Sequence, residues 1–144
     1  MVPANFYNEY RRNEISTSSQ GKLILMMYDG AINFTKMIKK GIEKNDPLQK
    51  GLYIRKTHDI INELSCSLDL KKGGDVAVKL DNLYQFIIKQ LIVVNIKSDK
   101  KALDSILRIL MTLHSAWEQI INKQTHGNGQ DTPLPPAKNI TSRC

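Results

Sequence analysis

Four segments of about twenty residues, each with apolar side chains at helical spacing, most constrain the fold of this chain. Short polar breaks separate them, and glycine and proline are sparse before residue 127. No segment alternates apolar and polar residues as a half-buried strand does. We therefore predict an all-α protein, an antiparallel up-down four-helix bundle with one continuous core.

The breaks set approximate helix limits. Asp46 is suited to cap a helix, and Pro47 to open one, because the first turn does not need the missing N–H. The stretch from Lys71 to Gly74 is expected to end the second helix near Asp69, with Asp75 capping the third. We predict helices at about 19–43, 47–69, 75–96 and 100–123.

The two ends of the chain differ in composition from the middle. Residues 1–18 are predicted to form an N-terminal arm, polar except for anchors such as Tyr10 and Ile15. Residues 19–124 form the predicted bundle. Residues 125–144, rich in Gly, Pro, Asn and Thr, are expected to be a flexible tail, since they cannot bury enough apolar surface to order themselves.

The first predicted helix has apolar residues on two sides. The expected core side also contains Gly30, which predicts a close approach by another helix. An ordinary amphipathic helix would be polar on its other side. Here that side carries apolar residues, so we expect it to meet a partner. The core side holds Leu23, Met27, Ala31, Phe34 and Ile38, and the second side holds Leu25, Tyr28 and Ile32.

The third predicted helix also has more apolar surface than one core needs. Ile88, Ile92 and Ile96 continue along one side, and Phe86 and Val93 lie on the other. The second and fourth helices are apolar on one side only. The expected core residues of the third helix are Val76, Leu80, Leu83, Tyr84, Ile87, Leu91 and Val94.

Catalytic patterns are missing from the sequence. His58, His114 and His126 lack the spacing of ligand pairs, and the Glu-x-x-His motif of metal-binding bundles is absent. His114 lies on the apolar side of the fourth helix, where we expect a core histidine with a hydrogen-bond partner. We predict no enzymatic activity, no catalytic residue, no metal and no cofactor. No 18-residue apolar run is present, so no stable membrane insertion is expected.

The formal net charge of +7 raises the possibility of nucleic-acid binding. The basic residues are dispersed, however, as pairs near helix ends, and no nucleic-acid motif accompanies them. We expect solvated helix ends, no nucleic acid, and a preference for acidic partners. A basic nucleic-acid-associated bundle remains an alternative, and salt titration would identify it. The pairs are Arg11-Arg12, Lys39-Lys40, Lys71-Lys72 and Lys100-Lys101.

Several short motifs occur together in a recognisable order. With them the chain resembles the FliS family of flagellin-specific export chaperones over about residues 10–120. The motifs are Tyr10-Arg-Arg-Asn13, Gly21-Lys-Leu23, Leu25-Met-Met-Tyr-Asp-Gly30, Ile60-Ile-Asn-Glu-Leu64, Leu83-Tyr84, Val94-Asn95 and Ala116-Trp117.

The resemblance implies a cytoplasmic chaperone that binds the C-terminal segment of flagellin. It also implies protection of flagellin from premature polymerisation, assistance at the flagellar export gate, and an arm that covers part of the binding surface. A client-free homodimeric helical module remains an alternative. The expected partner-binding residues are Tyr10, Ile15, Leu25, Tyr28, Ile32, Tyr84, Ile88, Ile92 and Asn95.

Overall fold

The structure is a computed structural model that describes residues 17–126, with side chains from residue 20 to 123. Within this range the chain is helical and contains no strand, so the all-α prediction is confirmed. Helices α1 and α3 each pack against both α2 and α4, so α1 and α3 lie diagonally across the bundle. The helices are α1 (Thr17–Glu43), α2 (Pro47–Cys66), α3 (Leu70–Lys97) and α4 (Lys100–His126).

Two tight turns form where the sequence predicts them. Between α1 and α2, Asn45 adopts a φ of 55°, and the Asp46 carboxylate accepts a hydrogen bond from the Gln49 N–H at 3.0 Å. Between α3 and α4, Ser98 is left-handed, and the Asp99 carboxylate accepts from the Lys101 N–H at 2.9 Å. Both carboxylates satisfy backbone donors that the first helical turn leaves free.

The connection between α2 and α3 differs from the prediction. Helix α2 ends at Cys66, and Asp69 caps α3 by accepting from the N–H groups of Lys71 and Lys72, both at 3.1 Å. Asp69 thus takes the capping role that the sequence suggested for Asp75. Gly74 kinks α3 with φ 52° and ψ −133°, a conformation open mainly to glycine. The predicted break is therefore present at Gly74, but it lies inside α3, one turn after the helix begins.

Helices α1 and α2 approach each other closely at two glycines. A Cβ on Gly30 would lie 3.1 Å from Ile60 Cδ1, which confirms the close approach predicted there. A Cβ on Gly41 would lie 2.9 Å from the backbone nitrogen of Lys50. The absence of a side chain at both positions lets α1 sit deep against α2.

Candidate functional site

Tyr28 lies in the interior and not on an outer surface. Its side chain is fully buried, with 0% exposure. Its hydroxyl shares a 2.5 Å hydrogen bond with the Tyr84 hydroxyl and accepts another from the Trp117 Nε1–H at 3.1 Å. These bonds join α1, α3 and α4 at the centre of the bundle. The prediction that Tyr28 faces a partner from the second side of α1 is therefore wrong.

Helical geometry explains the error. Successive residues of a helix differ by about 100° around its axis, so Tyr28 lies beside Met27 and not opposite it. Because α1 contacts α2 and α4 and faces α3 across the bundle, its buried arc is wide. Leu25 and Ile32 are half-buried and pack against the core, so they lie on the rim of that arc.

The buried tyrosine pair is neutral at physiological pH. Burial raises the pKa of Tyr28 from 10.0 to about 12, although its hydrogen bonds with Tyr84 and Trp117 oppose the rise. Burial also raises the pKa of Tyr84 well above its ordinary value, and the proximity of Tyr28 adds to this. Tyr84 is 1% exposed, so it too lies away from any surface that a partner could reach. Both residues support the core.

An apolar stripe is open on the outer surface of α3. Its members are spaced four residues apart, and we call Ile88, Ile92 and Ile96 the isoleucine stripe. Ile92 is 55% and Ile96 75% exposed, whereas Ile88 is half-buried against the core. Asn95 is exposed beside them. The predicted surplus apolar surface of α3 is therefore present.

Two hydrogen bonds between α2 and α3 show on which side of α3 the isoleucine stripe lies. Lys50 Nζ donates to the Asn95 carbonyl at 3.2 Å, and Ser65 Oγ donates to Asp81 Oδ1 at 2.8 Å. At 100° per residue, Ile92 lies within about 20° of Asp81 around the α3 axis, so the stripe borders α2. At the same level of α2, a Cβ on Gly51 would find nothing within 4 Å. The surface of α2 at Gly51 is therefore open.

The opposite flank of α3, which borders α4, exposes further apolar residues. Val76, Leu83 and Phe86, here called the Phe86 flank, are 53%, 36% and 42% exposed. The prediction that Val76 and Leu83 lie in the core is wrong. Leu83 is about 100° from the buried Tyr84 and falls on the rim, and Val76 follows the Gly74 kink. The apolar side chain of Phe86, beyond a complete core stripe, was the signal for this flank.

A polar pair also links α4 to α1. His114 Nε2 lies 2.9 Å from Asp29 Oδ1, which confirms a polar partner for this half-buried histidine, although it sits at the rim of the core. Between residues 17 and 126, no group of three or more His, Cys, Asp or Glu residues could hold a metal ion. None of the four helices is long and apolar enough to cross a membrane. Tyr10 and Ile15 lie outside the described residues.

Comparison with known proteins places this bundle in a family. The chain matches the family described as flagellar protein FliS over residues 3–124. It is 32% identical to the flagellar secretion chaperone FliS of Campylobacter jejuni, over 83% of this chain and 93% of that protein. Similar chaperones from Vibrio cholerae and Salmonella typhimurium are 34% and 33% identical, over 75% and 76% of this chain and 79% and 82% of theirs. The chain belongs to the FliS family of flagellar secretion chaperones.

Proposed function

We propose that this chain binds the C-terminal region of flagellin on the outer surface of α3. Bound in the cytoplasm, flagellin would be kept from polymerising and would be delivered to the flagellar export apparatus. Two findings support the proposal. The chain's relatives are named flagellar secretion chaperones, and α3 exposes apolar residues that its own bundle does not cover.

The isoleucine stripe carries the proposal. Ile92 and Ile96 are more than half exposed, on one helical row of α3 on the side that borders α2. An amphipathic client segment can lay its apolar side against such a row, as in helix-in-groove recognition. Fully removing one isoleucine side chain from water contributes roughly 1.5–3 kcal/mol, so the stripe can supply part of the binding energy of a client.

The Phe86 flank extends the proposed surface around α3. It lies on the α4 side, whereas the isoleucine stripe lies on the α2 side. A client segment long enough to cross α3 would cover both. Its own apolar residues would then be hidden from other flagellin molecules, which is the property needed to prevent premature polymerisation.

The proposed contact set therefore differs from the one expected from sequence. Ile88, Ile92 and Asn95 remain in it, and Ile96 and Phe86 join them. The half-buried Leu25 and Ile32 lie on the rim of the α1 core, and the buried Tyr28 and Tyr84 are excluded as contacts in this conformation.

Tyr10 and Ile15 are still proposed to anchor an arm that competes with the client. Such competition would lower the apparent affinity for flagellin by the fraction of molecules whose surface is open. A Tyr10→Ala/Ile15→Ser variant should then bind a flagellin C-terminal peptide more tightly. Calorimetric titration against the unchanged chain would measure this, and equal affinities would remove the arm from the proposal.

The main test replaces exposed apolar residues on α3 and on α4. Ile92→Ser should weaken binding of a flagellin C-terminal peptide by about tenfold or more, since one buried isoleucine contact is lost. Met111→Ser is the matched control, because Met111 is also 55% exposed. It lies two helical turns after Asp104, which contacts Lys39 of α1, and so on the α1 side of α4. Calorimetric titration gives the affinities, and circular dichroism verifies that both variants are folded.

Three outcomes would contradict the proposal. Equal losses for Ile92→Ser and Met111→Ser would show that α3 holds no special surface for flagellin. Undiminished binding of flagellin that lacks its C-terminal region would place the recognised segment elsewhere. If Ile92→Ser instead converts a dimer into a monomer and leaves flagellin binding unchanged, the stripe is a homodimer interface. Sedimentation of both variants distinguishes that case.

A further inference from the structure

One end of the bundle is markedly basic. Here α1 ends, α2 begins, α3 ends and α4 begins, and we call residues 39–50 and 97–104 the basic tip. Cross-helix contacts hold the four helix ends together, with Lys50 Nζ on Ser98 Oγ at 3.1 Å and Lys100 Nζ 3.9 Å from Glu43. Seven lysines and four carboxylates in these segments give the tip a net charge of +3. The other end of the bundle has no net charge, because four lysines and four carboxylates lie in residues 17–26, 61–76 and 118–126.

The four carboxylates of the tip already have structural roles. Asp46 and Asp99 cap α2 and α4, while Glu43 and Asp104 lie within 4 Å of Lys100 and Lys39. Four further lysines are exposed and form no ion pair with a carboxylate of the described residues. Their positive charge is therefore directed to the solvent or to a partner. They are Lys40, Lys44, Lys97 and Lys101.

Helix stability does not account for all of these charges. Cations near the ends of α1 and α3 are favoured by the helix dipole. Lys100 and Lys101 instead begin α4, where the dipole disfavours positive charge, and α4 has no acidic residue in its first turn. The chain thus concentrates lysine at the tip even where this opposes the local helix.

The use of lysine and not arginine at the basic tip indicates which class of partner it would bind. The basic tip contains no arginine. Arginine forms the bidentate pairs that are enriched in protein–protein interfaces, whereas lysine is a hydrated, mobile point charge suited to a diffuse negative surface. Leu48, in the first turn of α2, is 84% exposed among these lysines. Basic side chains combined with exposed apolar ones are the features by which amphipathic helices bind the membrane interface.

We propose that the basic tip binds reversibly to the surface of an anionic lipid membrane. The four exposed lysines would lie at the headgroups, and Leu48 would enter the boundary between headgroups and acyl chains. Only this end of the bundle would contact the membrane, and the Phe86 flank would remain accessible along α3. No helix needs to cross the bilayer for this mode of binding. The inference is independent of flagellin binding.

Vesicle co-sedimentation of the full chain tests the proposal. Vesicles of phosphatidylcholine alone are compared with vesicles that also contain phosphatidylglycerol, at low and high salt. The tip variant and an opposite-end control each remove four positive charges. The tip variant is Lys40→Gln/Lys44→Gln/Lys97→Gln/Lys101→Gln, and the control is Lys22→Gln/Lys71→Gln/Lys72→Gln/Lys123→Gln.

The chain should bind the anionic vesicles, and high salt should release it because ions screen the lysines. The tip variant should lose about tenfold or more of this affinity, and the control variant much less. Leu48→Ser should weaken binding at low salt, where the chain is bound. Both quadruple variants should keep their flagellin affinity, which separates this proposal from the function proposed above.

Three results would overturn the lipid proposal. One is absence of binding to anionic vesicles. A second is an equal loss in the tip variant and the control, which would show that only net charge matters. The third is binding of the tip to soluble polyglutamate without binding to vesicles, which would assign the lysines to an acidic protein. Circular dichroism of each variant establishes that the bundle is intact in every comparison.

Discussion

Helices α1 and α3 both have more apolar side chains than a one-sided helix, yet the bundle covers them differently. Tyr28 of α1 is fully buried, whereas Ile92 and Ile96 of α3 are more than half exposed. The reason lies in their neighbours. Helix α1 contacts α2 and α4 more extensively than α3 does. The glycines at positions 30 and 41 allow part of this close fit.

The comparison shows that a second apolar stripe does not by itself identify a binding surface. Whether the second stripe is buried depends on how closely the neighbouring helices pack against it. A closely packed helix buries a wide arc of its circumference and turns the second stripe into core. A more loosely contacted helix leaves the stripe in water, where burial against a partner is favourable. The following predictions test this distinction.

The largest difference is expected between alanine substitutions in the two stripes. Tyr28→Ala should lower the free energy of unfolding by about 3–5 kcal/mol, since it leaves a cavity and removes a partner of Tyr84 and Trp117. Ile92→Ala should cost less than about 1 kcal/mol, because the side chain is mostly in water. Urea unfolding followed by circular dichroism measures both. Similar losses would show that the isoleucine stripe is also core.

Alkaline pH should lower the stability of the fold through Tyr28, which lies in the buried apolar stripe of α1. The folded state raises the pKa of Tyr28 from 10.0 to about 12, so it favours the neutral phenol. The associated stability is complete below pH 10 and is lost as the pH rises through about 12. This corresponds to roughly 3 kcal/mol at most. Urea unfolding at a series of pH values should show the decline, and a flat profile in the wild-type chain would contradict it.

Removing only the hydroxyl of Tyr28 should have an intermediate effect. Tyr28→Phe keeps the ring but leaves the Trp117 N–H and the Tyr84 hydroxyl without this partner, at a cost of about 1–3 kcal/mol. The double variant Tyr28→Phe/Tyr84→Phe should be less destabilised than the two single losses combined, because they share one bond. A double-mutant cycle in urea gives the coupling. Strict additivity would argue against a shared bond.

The smallest effect is expected at the glycine beside the open stripe. Gly51→Ala should raise stability by about 0.5–1 kcal/mol, because a Cβ there meets nothing and alanine favours the helix. Gly41→Ala is the contrasting variant at the close α1–α2 contact. It should cost about 1–3 kcal/mol, since the Cβ would meet the Lys50 backbone. Thermal unfolding compares the two, and a loss at Gly51 would mean that the space around it is not open.

The sequence predicted the features that depend on local chemistry. Asp46 caps α2 after a short break, and the isoleucine stripe follows from apolar residues that lie beyond the expected core stripe. The features that depend on neighbours could not be predicted in this way. Tyr28 lies at the edge of its helical face, where the proximity of α4 decides between core and surface. Asp69 and Asp75 both suit a cap, and only the path of the chain at Gly74 distinguishes them.

The hydrogen bond from Trp117 to Tyr28 also gives the chain a built-in optical reporter. Trp117 is the only tryptophan, and it is buried where three helices meet. Its fluorescence therefore senses the interior and is insensitive to contacts on the outside of α3. A client that lies on the isoleucine stripe should leave the emission wavelength unchanged, whereas one that separates the helices should shift it to the red. One titration in a fluorimeter thus distinguishes docking on the bundle from opening of the bundle.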